Sequence, residues 1–128
     1  MISAIEMFSG CGGLAYGLCE AGIRPSVMVE SNSAAVTTLI TNKTIGVRHA
    51  KDWNIECSDV RQFDWSLYVG TDVVAGGPPC QPFSQAGRHR GKLDDRDMWP
   101  EAIRAVDELS PMAFVFENVR GLARETFQ

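Results

Sequence analysis

The sequence predicts an α/β fold of the Rossmann-like kind, in which helices flank a mostly parallel sheet. Short apolar runs typical of buried strands alternate with segments of helical periodicity over the 128 residues. A glycine-rich turn at residues 9–13 joins the first strand to the first helix, and an acidic residue, Glu30, follows the second strand. This order of strand, glycine turn, helix and acid is typical of the class.

The first predicted strand covers residues 3–8 and continues into the glycine-rich turn. From Leu14 the apolar residues follow the period of a helix, which Gly22 ends. We expect the inner face of this helix to carry Leu14, Gly17, Leu18 and Ala21. A second strand at residues 26–29 leads directly to Glu30.

A second helix is predicted after Glu30, with Asn32 or Ser33 as its N-cap. We expect it to bury Val36, Leu39 and Ile40. After an irregular connection, residues 54–57 are predicted to form a short third strand, followed by a turn at residues 60–63.

The fourth strand is predicted at residues 72–75, and a long connection rich in glycine, proline and charge follows it. A helix is expected from about Pro100, because proline is favoured in a first turn. Its inward residues are expected to be Ala102, Ile103, Ala105, Val106 and Leu109. Residues 110–111 end it, and residues 112–116 are predicted to be a fifth, buried strand.

Five residues that could bind a ligand or take part in a reaction follow these strands. In an open α/β sheet, ligands bind beyond the carboxyl ends of the strands. The prediction places Gly10, Glu30, Asp59, Cys80 and Glu117 at that edge. Core packing alone does not require such a convergence, so we expect a functional site there.

The glycine turn and Glu30 suit a nucleoside ligand. Gly10, Gly12 and Ala15 fit the G-x-G-x-x-G/A spacing, and Glu30 lies twenty positions after Gly10, where an acid can bond ribose hydroxyls. Glu30 could also favour the start of the next helix, and both roles can hold at once. Asp59 could accept a hydrogen bond from an adenine amino group or cap the turn after it.

Cys80 stands in the segment GGPPCQ, which breaks abruptly from the fourth strand. Each proline fixes its φ near −65°, so the thiol is presented from a stiff corner. A nucleophilic cysteine benefits from such presentation, whereas a cysteine that only fills a core is usually inert. The spacing alone leaves both interpretations open.

Composition limits the classes of function. The net charge of −4 argues against a chain that coats nucleic acid over its whole surface. Arg88, Arg90 and Lys92 form a local basic run. Taken by itself, this run is interpreted as a solvated loop. The spacing of the four cysteines fits neither a secreted disulfide framework nor a CxxC metal site, so we expect reduced thiols and no metal. No signal peptide or membrane span is evident, which favours a cytoplasmic protein.

Three separated motifs, FSGCGG at residues 8–13, PCQ at 79–81 and ENV at 117–119, resemble those of the cytosine-C5 DNA methyltransferase family. Glu30 and Asp59 match intermediate markers of the same family. The resemblance covers nearly the whole chain and implies a Rossmann-like, S-adenosylmethionine-dependent methyltransferase fold.

The resemblance also implies roles for individual residues. The S-adenosylmethionine site would comprise Phe8, Ser9, Gly10, Cys11, Gly12, Gly13, Glu30, Asp59, Val60, Gly77 and Pro79. Cys80, as thiolate, would add to C6 of a flipped-out cytosine, and Glu117 would hold N3 and the exocyclic amine. Contacts to double-stranded DNA would come from Gln81, Ser84, Arg88, Arg90 and Lys92. Such an activity would act at the bacterial nucleoid.

The resemblance leaves three rival functions to weigh. A branch of the family methylates transfer RNA, and a catalytically silent homologue would keep the fold as a regulatory module. A nicotinamide-dependent dehydrogenase would explain the glycine turn but not Cys80 or Glu117. Ser31 departs from the aromatic residue that commonly stacks on adenine.

The family's target-recognition domain and carboxyl-terminal motifs are not visible in these residues. We therefore expect residues 1–128 to be the amino-terminal portion of a catalytic domain. The isolated chain is expected to bind the cofactor weakly and not to methylate DNA.

Overall fold

A parallel sheet of five strands forms the centre of the computed structural model, which describes residues 1–79 and 97–119. The strands are β1 (Ile2–Met7), β2 (Ile23–Glu30), β3 (Ile55–Cys57), β4 (Val73–Gly76) and β5 (Ala113–Phe116), in the order β3-β2-β1-β4-β5. The helices are α1 (Gly13–Glu20), α2 (Ser33–Thr44) and α3 (Trp99–Leu109). Every neighbouring strand pair is parallel. The predicted fold class is confirmed.

Short 3₁₀ turns fill the connections around β3 and before β4. They cover Ala50–Asp52, Val60–Gln62 and Trp65–Tyr68. Across residues 1–79 and 97–119, no helix is both long enough and apolar enough to cross a membrane.

The sheet is packed on both faces. On one face, alternate residues of β1 and β2, among them Ile5 and Val27, share a buried cluster with Ala105 and Leu109 of α3. On the other face, Met28 packs with residues of α1, α2 and the connection to β3, namely Ala15, Leu39, Ala50 and Trp53. Because both faces are covered, consecutive residues of β2, Val27, Met28 and Val29, are all apolar and buried.

The predicted inner face of α1 is wrong. Ala15 is the buried residue of the helix, whereas Gly17 and Ala21 are exposed and Leu14 is 37% exposed; Leu18 is partly buried. Helix α1 has only eight residues, so its rotation is set by its entry from Gly12 rather than by an apolar stripe.

Helices α2 and α3 largely follow the predicted periodicity. Asn32 caps α2 by accepting hydrogen bonds from the N–H groups of Ala34 and Ala35. Two expected core residues, Ile40 and Ile103, are instead 50% and 63% exposed. Each lies next to a buried position, about 100° further round its helix, where it turns away from the sheet.

Strand β5 is not buried as predicted. Phe114 and Val115 are 59% and 57% exposed, and β5 lies at the edge of the described sheet, paired with β4. The apolar run correctly indicates a strand, but a run of side chains does not reveal which neighbours cover it.

Close contact between β1 and β4 depends on Gly76. Gly76 lies opposite Met7, and a Cβ added to it would come 2.5 Å from the Met7 carbonyl oxygen. Any side chain at this position would therefore separate two central strands.

We expect Gly76→Ala to lower the free energy of unfolding by about 2 kcal/mol or more, because the clash involves backbone that cannot rotate away. Gly17→Ala is the matched control, since a Cβ at Gly17 meets open space and alanine favours a helix by about 1 kcal/mol. Urea unfolding measures both variants. Equal midpoints would contradict the prediction.

Candidate functional site

The carboxyl ends of the strands bring the predicted site residues to one edge. Following the sheet order, Asp59 follows β3, Glu30 ends β2, the glycine turn follows β1, Gly77 follows β4 and Glu117 follows β5. The remaining predicted residues, Cys80, Gln81, Ser84, Arg88, Arg90 and Lys92, lie outside the described residues. Of the five residues predicted at this edge, Gly10, Glu30, Asp59 and Glu117 lie at or just after the carboxyl ends of strands, and Cys80 is among those not described.

The glycine turn after β1 has an unusual backbone. Phe8, Gly10 and Gly12 have φ values of 55°, 53° and 89°, so left-handed conformations recur through the turn. The Ser9 N–H donates to the Val29 carbonyl at 3.2 Å, and the Gly12 N–H donates to the Ser9 carbonyl at 2.9 Å. These bonds fix the turn against β2, although Phe8 has to adopt a conformation that is costly for a non-glycine residue.

The two glycines of this turn with positive φ, Gly10 and Gly12, serve different needs. A Cβ at Gly12 would lie 2.7 Å from Leu39 Cδ2 and 2.8 Å from the Trp53 ring. Because glycine has no Cβ, α1 can begin close to α2. A Cβ at Gly10 would meet no atom within 4 Å. Gly12 is therefore required for packing, and Gly10 leaves open backbone that a ligand can approach.

Glu30 holds the turn and α2 together. Its Oε2 accepts a hydrogen bond from the Gly10 N–H at 2.8 Å, and its Oε1 accepts one from the Asn32 N–H at 2.7 Å. Each carboxylate oxygen keeps a further lone pair that a ligand hydroxyl can use. The proposed ribose contact and the helix-start role are thus compatible in one side chain.

Asp59 acts as the cap of the turn that follows it. Its Oδ1 accepts hydrogen bonds from the Arg61 N–H at 2.9 Å and from Arg61 Nε at 3.0 Å. These bonds hold the pKa of Asp59 below its ordinary value. The side chain of Val60 is buried, and its carbonyl oxygen accepts a hydrogen bond from Arg104 Nη2 at 2.6 Å. An adenine contact by this pair remains a prediction.

The ends of β4 and β5 are tied together. The Glu117 N–H donates to the Gly76 carbonyl at 3.0 Å, and Asn118 Nδ2 donates to the Pro78 carbonyl at 3.0 Å. A Cβ at Gly77 would lie 3.5 Å from Glu117 Oε2, so this carboxylate lies beside the Gly77 backbone. The segment leading to Cys80 is therefore anchored next to Glu117. Asn118 belongs to a predicted motif, but its anchoring role was not foreseen.

Sequence reasoning missed Glu6, the charged residue within β1. Glu6 is 0% exposed, and within residues 1–79 and 97–119 neither carboxyl oxygen has a hydrogen-bond partner. Burial raises the pKa of Glu6 to about 7, and the weaker effects of Ser9 and the Ala15 N–H oppose the shift. The signal in the sequence was an acid inside the apolar run AIEMF.

A cavity of about 260 Å³ lies away from this edge. It is lined by the amino ends of β1 and β2, including Met1, Ile23 and Arg24, and by His49, Asp52 and Trp53 from the connection to β3. His49 Nε2 lies 2.7 Å from Glu20 Oε1 nearby. Because ligands of such sheets bind at the carboxyl ends, this cavity is not the candidate site.

Comparison with known proteins identifies relatives over the whole chain. Residues 2–128 match the family model described as C-5 cytosine-specific DNA methylase. The chain is 43% identical to the type II methyltransferase M.NgoMIV of Neisseria gonorrhoeae, covering 98% of this chain and 38% of the relative. It is 41% identical to M.Eco47II of Escherichia coli, covering 94% of this chain and 28% of the relative. The chain therefore spans well under half the length of both.

Solved structures agree on the fold. A putative DNA modification methyltransferase from a prophage of E. coli superposes with a TM-score of 0.77 at 29% identity, over 100% of this chain and 35% of that one. The glycopeptide N-methyltransferase MtfA, solved with S-adenosyl-L-methionine, superposes with a TM-score of 0.63 over 91% of this chain and 46% of that one. At 14% identity, the second match concerns the fold alone.

We expect the Glu6→Gln variant to become increasingly more stable than the wild-type chain as the pH rises. The pKa of Glu6 is raised from 4.5 to about 7, so folded Glu6 keeps its proton where the unfolded chain has lost it. The wild-type chain thus loses stability between these pH values, by roughly 3 kcal/mol in total, and glutamine does not.

The measurement is urea unfolding of both proteins at pH 4.5, 6 and 8. Glu56→Gln, which removes an exposed carboxylate of β3, controls for a general change of charge. A constant difference between Glu6→Gln and wild type across this range would show that Glu6 does not titrate as described.

Proposed function

This chain belongs to the C-5 cytosine-specific DNA methylase family, and we propose that it forms the cofactor-binding and catalytic part of an enzyme that methylates C5 of cytosine in DNA. The observation that carries the proposal is the shared edge at which the Gly10–Glu30 pair adjoins the Gly77–Glu117 pair. Since the relatives are longer, the proposal concerns the protein that carries this chain.

The described residues fit S-adenosylmethionine. Gly10 leaves open backbone beside Glu30, whose carboxylate is held by two N–H groups and keeps lone pairs for ribose hydroxyls. The cofactor carries no phosphate, so the glycines serve close approach rather than anion binding. When bound, the cofactor supplies an electrophilic methyl group on a sulfonium.

The chemistry assigned to the chain starts from the low reactivity of cytosine C5. The Cys80 thiolate bonds to C6 and converts the ring into an enamine, which makes C5 nucleophilic enough to accept a methyl group. Loss of the C5 proton then re-forms the double bond and expels the thiolate. Each bond made by Cys80 is broken again, so the enzyme is regenerated.

Glu117 is proposed to hold N3 and the exocyclic amine as negative charge develops on the ring. Its position supports this role, because its carboxylate lies beside Gly77 and Asn118 anchors Pro78, two residues before Cys80. Glu117 and the described residues that precede Cys80 in the sequence thus follow two strands, β5 and β4, that are hydrogen-bonded to each other.

A paired base cannot reach both Cys80 and the cofactor, so the target cytosine is proposed to be flipped out of the duplex. Gln81 and Ser84 are proposed to lie near the flipped base. Arg88, Arg90 and Lys92 are proposed to contact phosphates. In an acidic chain such contacts are local, and binding should weaken steeply with added salt.

We expect Glu30→Gln to weaken S-adenosylmethionine binding by about tenfold or more, because a charge-assisted hydrogen bond contributes about 1.5–3 kcal/mol. Glu20→Gln is the control, since it removes a carboxylate beside the cavity at the other edge of the sheet. Isothermal titration calorimetry at constant pH measures both. Wild-type affinity in Glu30→Gln would contradict the proposed ribose contact.

We expect Cys80→Ser to abolish transfer of labelled methyl groups from S-adenosylmethionine to DNA by the protein that carries this chain. Glu117→Gln should lower the rate by about 10²- to 10⁴-fold. Cys57→Ser is the control, because Cys57 is an exposed thiol at the end of β3. DNA containing 5-fluorocytosine should trap wild type and Cys57→Ser covalently, but not Cys80→Ser.

Parallel assays on transfer RNA separate the substrates. Labelling of RNA alone would replace the DNA assignment. Cofactor binding without labelling of either nucleic acid would indicate a catalytically silent homologue.

A further inference from the structure

We propose that Glu6 is a buried counter-charge for the cofactor, releasing its proton when a cationic group binds against the glycine turn. The inference rests on the proposed function, because S-adenosylmethionine supplies the cation through its sulfonium or its ammonium group. Glu6 is proposed as a positioning residue that acts across the turn, since it has no surface through which to touch a ligand.

The position of Glu6 links it to the site. It lies at the carboxyl end of β1, and its neighbours across the sheet are Met28 of β2 and Ala75 of β4. The Ser9 hydroxyl, which could have bonded the carboxyl group, donates at 3.2 Å to the Glu6 main-chain carbonyl instead. The carboxyl group therefore has no hydrogen bond of ordinary geometry in the described part of the chain, although Ser9 and the Ala15 N–H lie close enough to oppose the rise in its pKa.

The charged surroundings of Glu6 are also unfavourable to its ionised form. Glu30 of β2 adds a negative charge nearby, and α1 contributes the neutral Ala15 N–H. Helix α2 contributes the apolar side chain of Leu39 to the packing on this face, whereas its Lys43 Nζ donates to the Trp53 carbonyl. Within residues 1–79 and 97–119, none of the groups that influence the ionisation of Glu6 is a cation.

A ligand cation would reverse this balance. A buried carboxyl group without a partner is held neutral by desolvation, and a positive charge brought close favours its ionised form. The O–H bond of Glu6 then breaks, and the proton passes to the solvent buffer. By linkage, the ionised carboxylate strengthens binding of the cation by the same free energy.

The titration range makes this coupling measurable. With a pKa of about 7, Glu6 is half protonated at neutral pH in the free protein. Binding that lowers this pKa releases at most about 0.5 proton at pH 7 and about 0.9 at pH 6. The affinity for S-adenosylmethionine should then fall by at most about eightfold between pH 6.5 and pH 5.5.

The experiment is isothermal titration calorimetry of S-adenosylmethionine into the full 128-residue chain, in two buffers of different ionisation enthalpy, at pH 5.5, 6, 6.5 and 7. This range lies below the titration of the ligand's own amino group, near 8. Wild type and the control Glu20→Gln should release protons as calculated, and Glu6→Gln should release none. Equal release by Glu6→Gln would overturn the proposal.

Two further ligands identify the cation. S-adenosylhomocysteine lacks the sulfonium charge, and adenosine lacks both cationic groups. Release with S-adenosylmethionine alone assigns the sulfonium, and equal release with S-adenosylhomocysteine assigns the ammonium. Release of the same size with adenosine would show that no cation is involved and would overturn the proposal.

A direct measurement avoids any variant that fails to fold. The ¹³C shift of the Glu6 carboxyl group in the wild-type chain should titrate near pH 7 when free and at clearly lower pH with S-adenosylmethionine bound. An unchanged titration in the complex would refute the inference. Absence of any S-adenosylmethionine binding by wild type would instead count against the proposed cofactor site itself.

Discussion

The arrangement of the candidate site depends on the two hydrogen bonds accepted by the Glu30 carboxylate. One comes from Gly10 in the turn after β1, and the other from Asn32 at the start of α2. A single side chain thereby fixes the left-handed turn, the entry to α2 and the open backbone at Gly10. Neither bonded N–H belongs to a strand ladder, so without Glu30 these donors would need water or a ligand.

Two acids on adjacent strands have opposite environments at this edge. Glu30 is partly exposed and receives two donors, whereas Glu6 is fully buried and has no partner in the described part of the chain. An ionised carboxylate suits the first position, and a neutral carboxyl group suits the second at low pH. Adjacent acids with such different surroundings suit the two proposed roles, in which Glu30 holds a ligand and the charge of Glu6 responds to it.

Much of the fold follows from the sequence, because apolar runs, glycine turns and caps are local signals. The strands and the Asn32 cap are where those signals place them. Ile40 and Ile103 were misplaced because periodicity indicates a face only to within one residue, and the neighbouring packing decides the rest. The exposure of Phe114 depends on which neighbours cover β5, and no local pattern encodes that.

The site was partly predictable for the same reason. Strand ends in a parallel sheet meet at one edge, so an acid after β2 and another after β5 could be assigned to a common site. The sequence could not show which hydrogen-bond partner each polar group has. Asp59 is engaged by Arg61, the Val60 carbonyl is taken by Arg104, and Asn118 anchors the Pro78 carbonyl. Such pairings depend on distances between elements far apart in sequence.

The two halves of the edge differ in the kind of constraint that holds them. Around Gly10 and Glu30, backbone donors and a carboxylate leave an open surface that suits binding of a ligand. Around Gly76 and Glu117, main-chain contact is so close that no side chain fits at Gly76, and the segment leading to Cys80 is pinned through Pro78. Reaction chemistry requires tighter positioning than binding does, because small displacements of reacting groups cost large factors in rate. The half of the edge with the closest main-chain contact is accordingly the one that leads to the proposed nucleophile.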